Sequence, residues 1–118
     1  MSVKIINEYG NINMDDQVFA TLAGLAAMEC YGVVGMASRN ATEGIFELLR
    51  RDQLTKGIKV TSIDDKLNID LYIVLQYGIK ISVVADNIIS RIKYSVETFS
   101  GVSVENVNIF VQGVRVQK

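Results

Sequence analysis

At 118 residues, with 49% apolar and 21% charged side chains, the chain has the length and composition of one globular domain. Its net charge of -1 excludes broad electrostatic attraction to duplex DNA or to an anionic membrane surface. It has no histidine and a single cysteine, so the usual acid–base group near neutral pH is missing. Neither an internal disulfide nor an ordinary zinc site can be assembled from such a set.

The N-terminus runs directly into Val3-Lys4-Ile5-Ile6 with no secretory pattern ahead of it, so the expected address is the cytoplasm. Residues 3–7 and 11–13 read as a short strand or hairpin around the turn-forming cluster Tyr9-Gly10-Asn11. Asn13 followed by Asp16 has the spacing of a helix N-terminus, and a helix is expected over about 15–30. Val18, Phe19, Leu22, Leu25 and Ala26 form its wide apolar face, and Ala20, Ala23, Gly24 and Ala27 its small-residue face. No charge falls between Gln17 and Met28, and a helix apolar all round is expected to be buried all round. That stretch is too short to span a bilayer, so no direct membrane insertion is expected. Tyr31-Gly32 ends the helix, with Gly24, Gly32 and Gly35 as candidate close-packing positions.

Val33 to Ala37 predicts a short strand, and Ser38 to Glu43 a polar loop. Ile45, Phe46, Leu48 and Leu49 form one side of a short helix ending at Arg50-Arg51, followed by a connector over Gln53 to Gly57. Ile58 and Val60 alternate with Lys59 and Thr61, and Asp64-Asp65 is the expected hairpin turn. From Leu67 the alternation is clean: Leu67, Ile69, Leu71, Ile73 and Leu75 face one way, Asn68, Asp70, Tyr72, Val74 and Gln76 the other. After the break at Tyr77-Gly78, a helix over about 80–100 carries the stripe Ile81, Val84, Ile88, Ile92, Val96 and Phe99, and Gly101 closes it. The last strand has Val107, Ile109 and Val111 on one face, with a change of phase at Gly113 across a bulge.

These elements give a small α+β domain over 1–118 in the order ββ-α-β-α-ββ-α-β. A mixed or antiparallel sheet would have about three helices mainly on one face. On the other face, Tyr72, Val74 and Phe110 lie among Asn68, Asp70, Asn108 and Gln112, the mixture expected of a protein-contact patch.

Nothing in the chain spells a catalytic or cofactor site. Asp15-Asp16 and Asp64-Asp65 are accounted for by a helix start and a turn. There is no phosphate loop and no dinucleotide fingerprint. Cys30 sits at a helix C-terminus, where the dipole disfavours a thiolate. Gly32-Val33-Val34-Gly35 has the GxxG form of an RNA-clamping loop. It holds no basic residue and leads into a strand, so a helix stop and a close-packing glycine account for it. No catalytic residue, cofactor or metal is therefore expected, and RNA binding is the lesser alternative.

Ala23-Gly24-Leu25-Ala26-Ala27-Met28-Glu29 running into Tyr31-Gly32-Val33-Val34-Gly35-Met36 is similar to the central pattern of a known family. So are Tyr9-Gly10, Asp70-Leu71-Tyr72-Ile73 with Tyr77-Gly78, and the closing Val107-Asn108-Ile109-Phe110-Val111-Gln112-Gly113-Val114. Together, over about 3 to 116, they resemble the alkaline-shock (general-stress) envelope stress response proteins of Gram-positive bacteria. The chain looks most like a compact subgroup associated with a dihydroxyacetone-kinase-like (fatty-acid kinase type) protein, and it lacks the long charged terminal extensions of the founding members. The resemblance implies a non-enzymatic cytoplasmic adaptor or scaffold that self-associates. It also implies docking to a membrane-anchored partner or to the kinase-like protein, as its accessory subunit. The family brings no catalytic residues.

Overall fold

The computed structural model describes residues 2–7, 10–38 and 55–116. Strands β1 (Ser2–Asn7) and β2 (Gly10–Asp15) form an antiparallel two-stranded sheet of their own, in the register Val3 opposite Met14 and Ile5 opposite Ile12. Helix α1 (Asp16–Met28) follows without a break. Its cap is Asp15, whose side chain makes no capping hydrogen bond, while Asn13 lies inside β2 rather than at the helix start. Strand β3 (Val33–Met36) comes next, and the short helix expected over 45–51 lies outside the described residues. Beyond it come β4 (Ile58–Ile63), β5 (Lys66–Gln76), α2 (Ile81–Ser100) and β6 (Ser103–Arg115).

The main sheet is organised around β5 and is mixed. Along one edge, β4 pairs antiparallel with the first half of β5 and β3 antiparallel with the second half. Along the other edge, β6 runs parallel to β5 for its whole length, which requires a crossover, and α2 supplies it. The β4–β5 turn is Asp64-Asp65, both at positive φ (51° and 62°), as a two-residue hairpin of this hand demands. Aspartate tolerates that left-handed backbone better than most residues with a Cβ.

Alternation along β5 decides the core. Leu67, Ile69, Leu71, Ile73 and Leu75 are buried against α1 and α2, which lie on the same side of the sheet and share one apolar cluster with them. Each such side chain contributes about 1.5–3 kcal/mol by leaving water. Among the described residues the buried set holds no polar or charged side chain.

Two expectations need correction here. Helix α1 is not buried all round: Phe19, Ala20, Ala23, Gly24, Ala26 and Ala27 are buried, whereas Val18 and Met28 are exposed and Leu22 and Leu25 are half-buried. The small residues face inward beside Phe19, letting α1 approach the sheet and α2 closely, while Val18, Leu22, Leu25 and Met28 are left at the rim. In α2 the buried stripe is Val84, Ile88, Ile92 and Val96, while Ile81 and Phe99, at its two ends, are 47% and 66% exposed. A nearly straight helix keeps contact with a twisted sheet only over its middle turns.

Linking contacts hold the helices in place. The Val104 N–H donates to the Glu97 carboxylate at 2.8 Å, tying α2 to the start of β6, and Arg91 of α2 pairs with Glu29 after α1. Gly101, at φ 77°, ends α2 with its N–H on the Glu97 carbonyl at 2.8 Å.

Candidate interaction surface

The face of the sheet turned away from the helices is built by the even-numbered positions of β5 and their partners on β6. Parallel pairing sets Asn68 beside Asn106, Asp70 beside Asn108 and Tyr72 beside Phe110. Each pair is joined by its side chains. Asn106 Nδ2 donates to Asn68 Oδ1 and Asn108 Nδ2 donates to Asp70 Oδ1, both at 2.9 Å. The Tyr72 and Phe110 rings stack at 4.9 Å between centroids, 14° from parallel. The result is a ladder that passes from an amide–amide rung through an amide–carboxylate rung to an aromatic one.

Of the three residues read as a contact patch, the structure brings Tyr72 and Phe110 together and removes Val74. Val74 is 0% exposed, so it supports the sheet and presents no surface of its own. Its neighbours on β3 and β6 are Gly35 and Gly113, so its cover does not come from the side chains paired beside it in the sheet. Register slips between Ile73 and Val74 of β5, leaving Gln112 as the extra residue of a bulge, which is the change of phase expected at Gly113. Phe110 is 43% exposed and Tyr72 half-buried.

The three glycines serve different elements. Gly24 is buried in α1, and Gly35 is buried in β3 opposite Val74. Gly32 has φ 89°, and a Cβ there would lie 3.0 Å from Ile79 Cδ1 and 3.1 Å from Val84 Cγ2. The segment Gly32–Gly35 thus forms a packed turn and the start of a sheet strand, not a loop between two helices. The Gln76 N–H donates to the Gly32 carbonyl at 2.8 Å, placing the Tyr31-Gly32 and Tyr77-Gly78 turns side by side at one end of the sheet. Tyr31 and Tyr77, at these turns, are 78% and 70% exposed. Sequence reading used both only as punctuation; the available signal was a large aromatic repeated next to each turn glycine.

Chemistry elsewhere is sparse. The half-buried Cys30 thiol donates to the Ala26 carbonyl at 3.5 Å. Burial pushes the thiol pKa up, Arg91 pulls the other way and Glu29 adds to the rise. An open groove of about 770 Å³ runs past Asp16, Gln17, Lys56, Lys59 and Tyr72 without a convergent set of acid and base groups. Among the described residues no three acidic or cysteine side chains come close enough to share a metal ion, and no helix is long and apolar enough to cross a membrane.

Three relatives align along most of the chain. The uncharacterized protein YloU of Bacillus subtilis (strain 168) is 44% identical, covering 98% of both chains. Spy1614 of Streptococcus pyogenes serotype M6 is 43% identical over 98% of this chain and 97% of its own. YqhY of Bacillus subtilis is 31% identical over 90% of this chain and 78% of its own. A family model matches residues 4–116. The chain belongs to that family, the alkaline shock protein 23 family, whose function is cell envelope-related.

Proposed function

We propose that the protein is a non-catalytic adaptor in this envelope-related function, working by self-association and by docking protein partners on the open face of its sheet. The observation that carries the reading is the Tyr72–Phe110 stack. It is an aromatic pair, partly open to solvent, beside two hydrogen-bonded polar rungs in which Asp70 is the single charged group. Protein interfaces favour that composition: aromatic anchors with few charges at the centre and polar groups at the rim. The residue inventory supports it too, since a chain without histidine has few ways to move protons near pH 7.

The partners in this reading are a second copy, a membrane-anchored protein, or a kinase-like protein for which this chain serves as accessory subunit. Light scattering over a concentration series, with binding measured to each purified partner, tests it. The Tyr72→Ala/Phe110→Ala variant should stay folded and lose affinity. Should it retain its oligomeric state and every partner, the open face is not the docking surface. Turnover of a small metabolite by the pure protein would refute the adaptor reading altogether.

A further inference from the structure

Docking on the open face leaves unstated what chemistry a partner brings, and the groove beside Tyr72 bears on it. Strands β3 and β4 share one edge of β5: β4 pairs with it up to Leu71 and β3 from Ile73 onward. The Ala37 N–H donates to the Tyr72 carbonyl at 2.9 Å, so Tyr72 stands where the two strands meet. The groove of about 770 Å³ opens at that junction. Its apolar lining is Ala20 and Ile58, both buried, with half-buried Val60 and the Tyr72 ring.

Charge is unevenly placed along this groove. Lys56 and Lys59, both exposed, lie on the β4 side, and Asp16 on the α1 side is the one acid among the described lining residues. Antiparallel register sets Lys59 opposite Asp70 on the open face, but the Asp70 carboxylate accepts its hydrogen bond from Asn108. Among the described residues neither lysine has an ion-pair or hydrogen-bond partner. Two ammonium groups thus border the aromatic stack without an anion of their own. A pocket for a small molecule buries most of its ligand, which a groove open to solvent does not do. It suits a chain segment that lies along it and continues onto the sheet.

We propose that the open face, extended by this groove, docks a partner segment carrying acidic side chains beside an aromatic or aliphatic one. Its carboxylates pair with Lys56 and Lys59, and its apolar residue packs on the Tyr72–Phe110 stack. The inference rests on the open-face reading and adds to it the charge of the partner. The stack supplies the anchor, while charges at the rim set the rate of encounter and the choice of partner. Binding accordingly weakens as salt screens the rim.

Selection from a display library of short random peptides, with the pure full chain as target, tests this. Wild type should enrich peptides with acids next to an aromatic or aliphatic residue. Lys56→Glu/Lys59→Glu changes two exposed positions and should keep the wild-type urea midpoint. It should bind those peptides about tenfold more weakly and itself enrich basic ones. Enrichment without acidic excess, no enrichment at all, or unchanged binding by the lysine variant overturns the proposal. Displacement of the peptides by inorganic phosphate at fixed ionic strength would make the groove a small-anion site instead. A fall in light-scattering mass of the lysine variant would make a second copy the occupant. If Tyr72→Ala/Phe110→Ala loses peptides that carry no acids, the open face stands and the acidic partner falls. If that variant retains every peptide, the open-face reading falls as well.

Discussion

On the helix side of β5, five aliphatic residues at every second position are almost entirely withdrawn from water. On the open side of the same strand, residues meet in side-chain pairs with β6: amide to amide, amide to carboxylate, ring to ring. The first face is held by area and volume, so any polar intrusion is severe. The second is held by pairwise complementarity between partly solvated groups, so each rung is worth little and is exchangeable. One strand can therefore anchor a core and carry a recognition surface, because its two faces are subject to different penalties.

Predictions follow that contrast from its strongest to its weakest consequence. Leu71→Asp places an unpaired charge at a fully buried position and should lose about 4 kcal/mol or more in urea titration. If it unfolds no more easily than wild type, the assignment of faces is inverted. Gly32→Ala extends the test to the border of the core. It combines strained backbone with a Cβ pressed against Ile79 and Val84, for a loss of about 1–3 kcal/mol by the same titration.

On the open face, Tyr72→Leu keeps an apolar side chain and removes the stack. It should cost about 0.5–1.5 kcal/mol beyond lost area, a difference that vanishes in a Phe110→Leu background. Asn68→Asp retains the oxygen that accepts from Asn106 and should change stability by no more than about 0.5 kcal/mol. A loss as large as that of Leu71→Asp would erase the distinction between the faces.

The smallest effect concerns Cys30 and pH. Its thiol pKa in the fold is raised above the ordinary 9.0, chiefly by burial, so the folded state holds this proton more tightly than the unfolded chain. That contribution to stability is complete below pH 9 and is lost as pH rises through the raised value. Cys30→Ser should accordingly show a shallower alkaline decline in thermal midpoint.

Much of this architecture is legible in the residues because it rests on local rules. The alternation from Leu67 to Leu75 needs only the two-residue period of a strand. The Asp64-Asp65 turn needs only residues that tolerate positive φ, and the slip at Gly113 only a glycine that breaks a period. Where the reading failed, neighbours distant in sequence decided the matter. The stripe of α2 named Ile81 and Phe99 correctly as apolar, but nothing local says where the sheet stops beneath the helix. Val74 looked like surface because alternation put it there, and its burial depends on what packs around it.

By itself, then, the sequence determined the strands of the main sheet, the two long helices, the turns between them and the lack of histidine chemistry. All of these follow from backbone geometry and composition over short stretches. Tertiary structure alone decided that the alanine–glycine side of α1 faces inward, that β6 runs parallel to β5, and that Tyr72 stacks on Phe110. Those outcomes depend on which surfaces approach closely enough to exclude water, and that distance is set by packing among segments far apart along the chain.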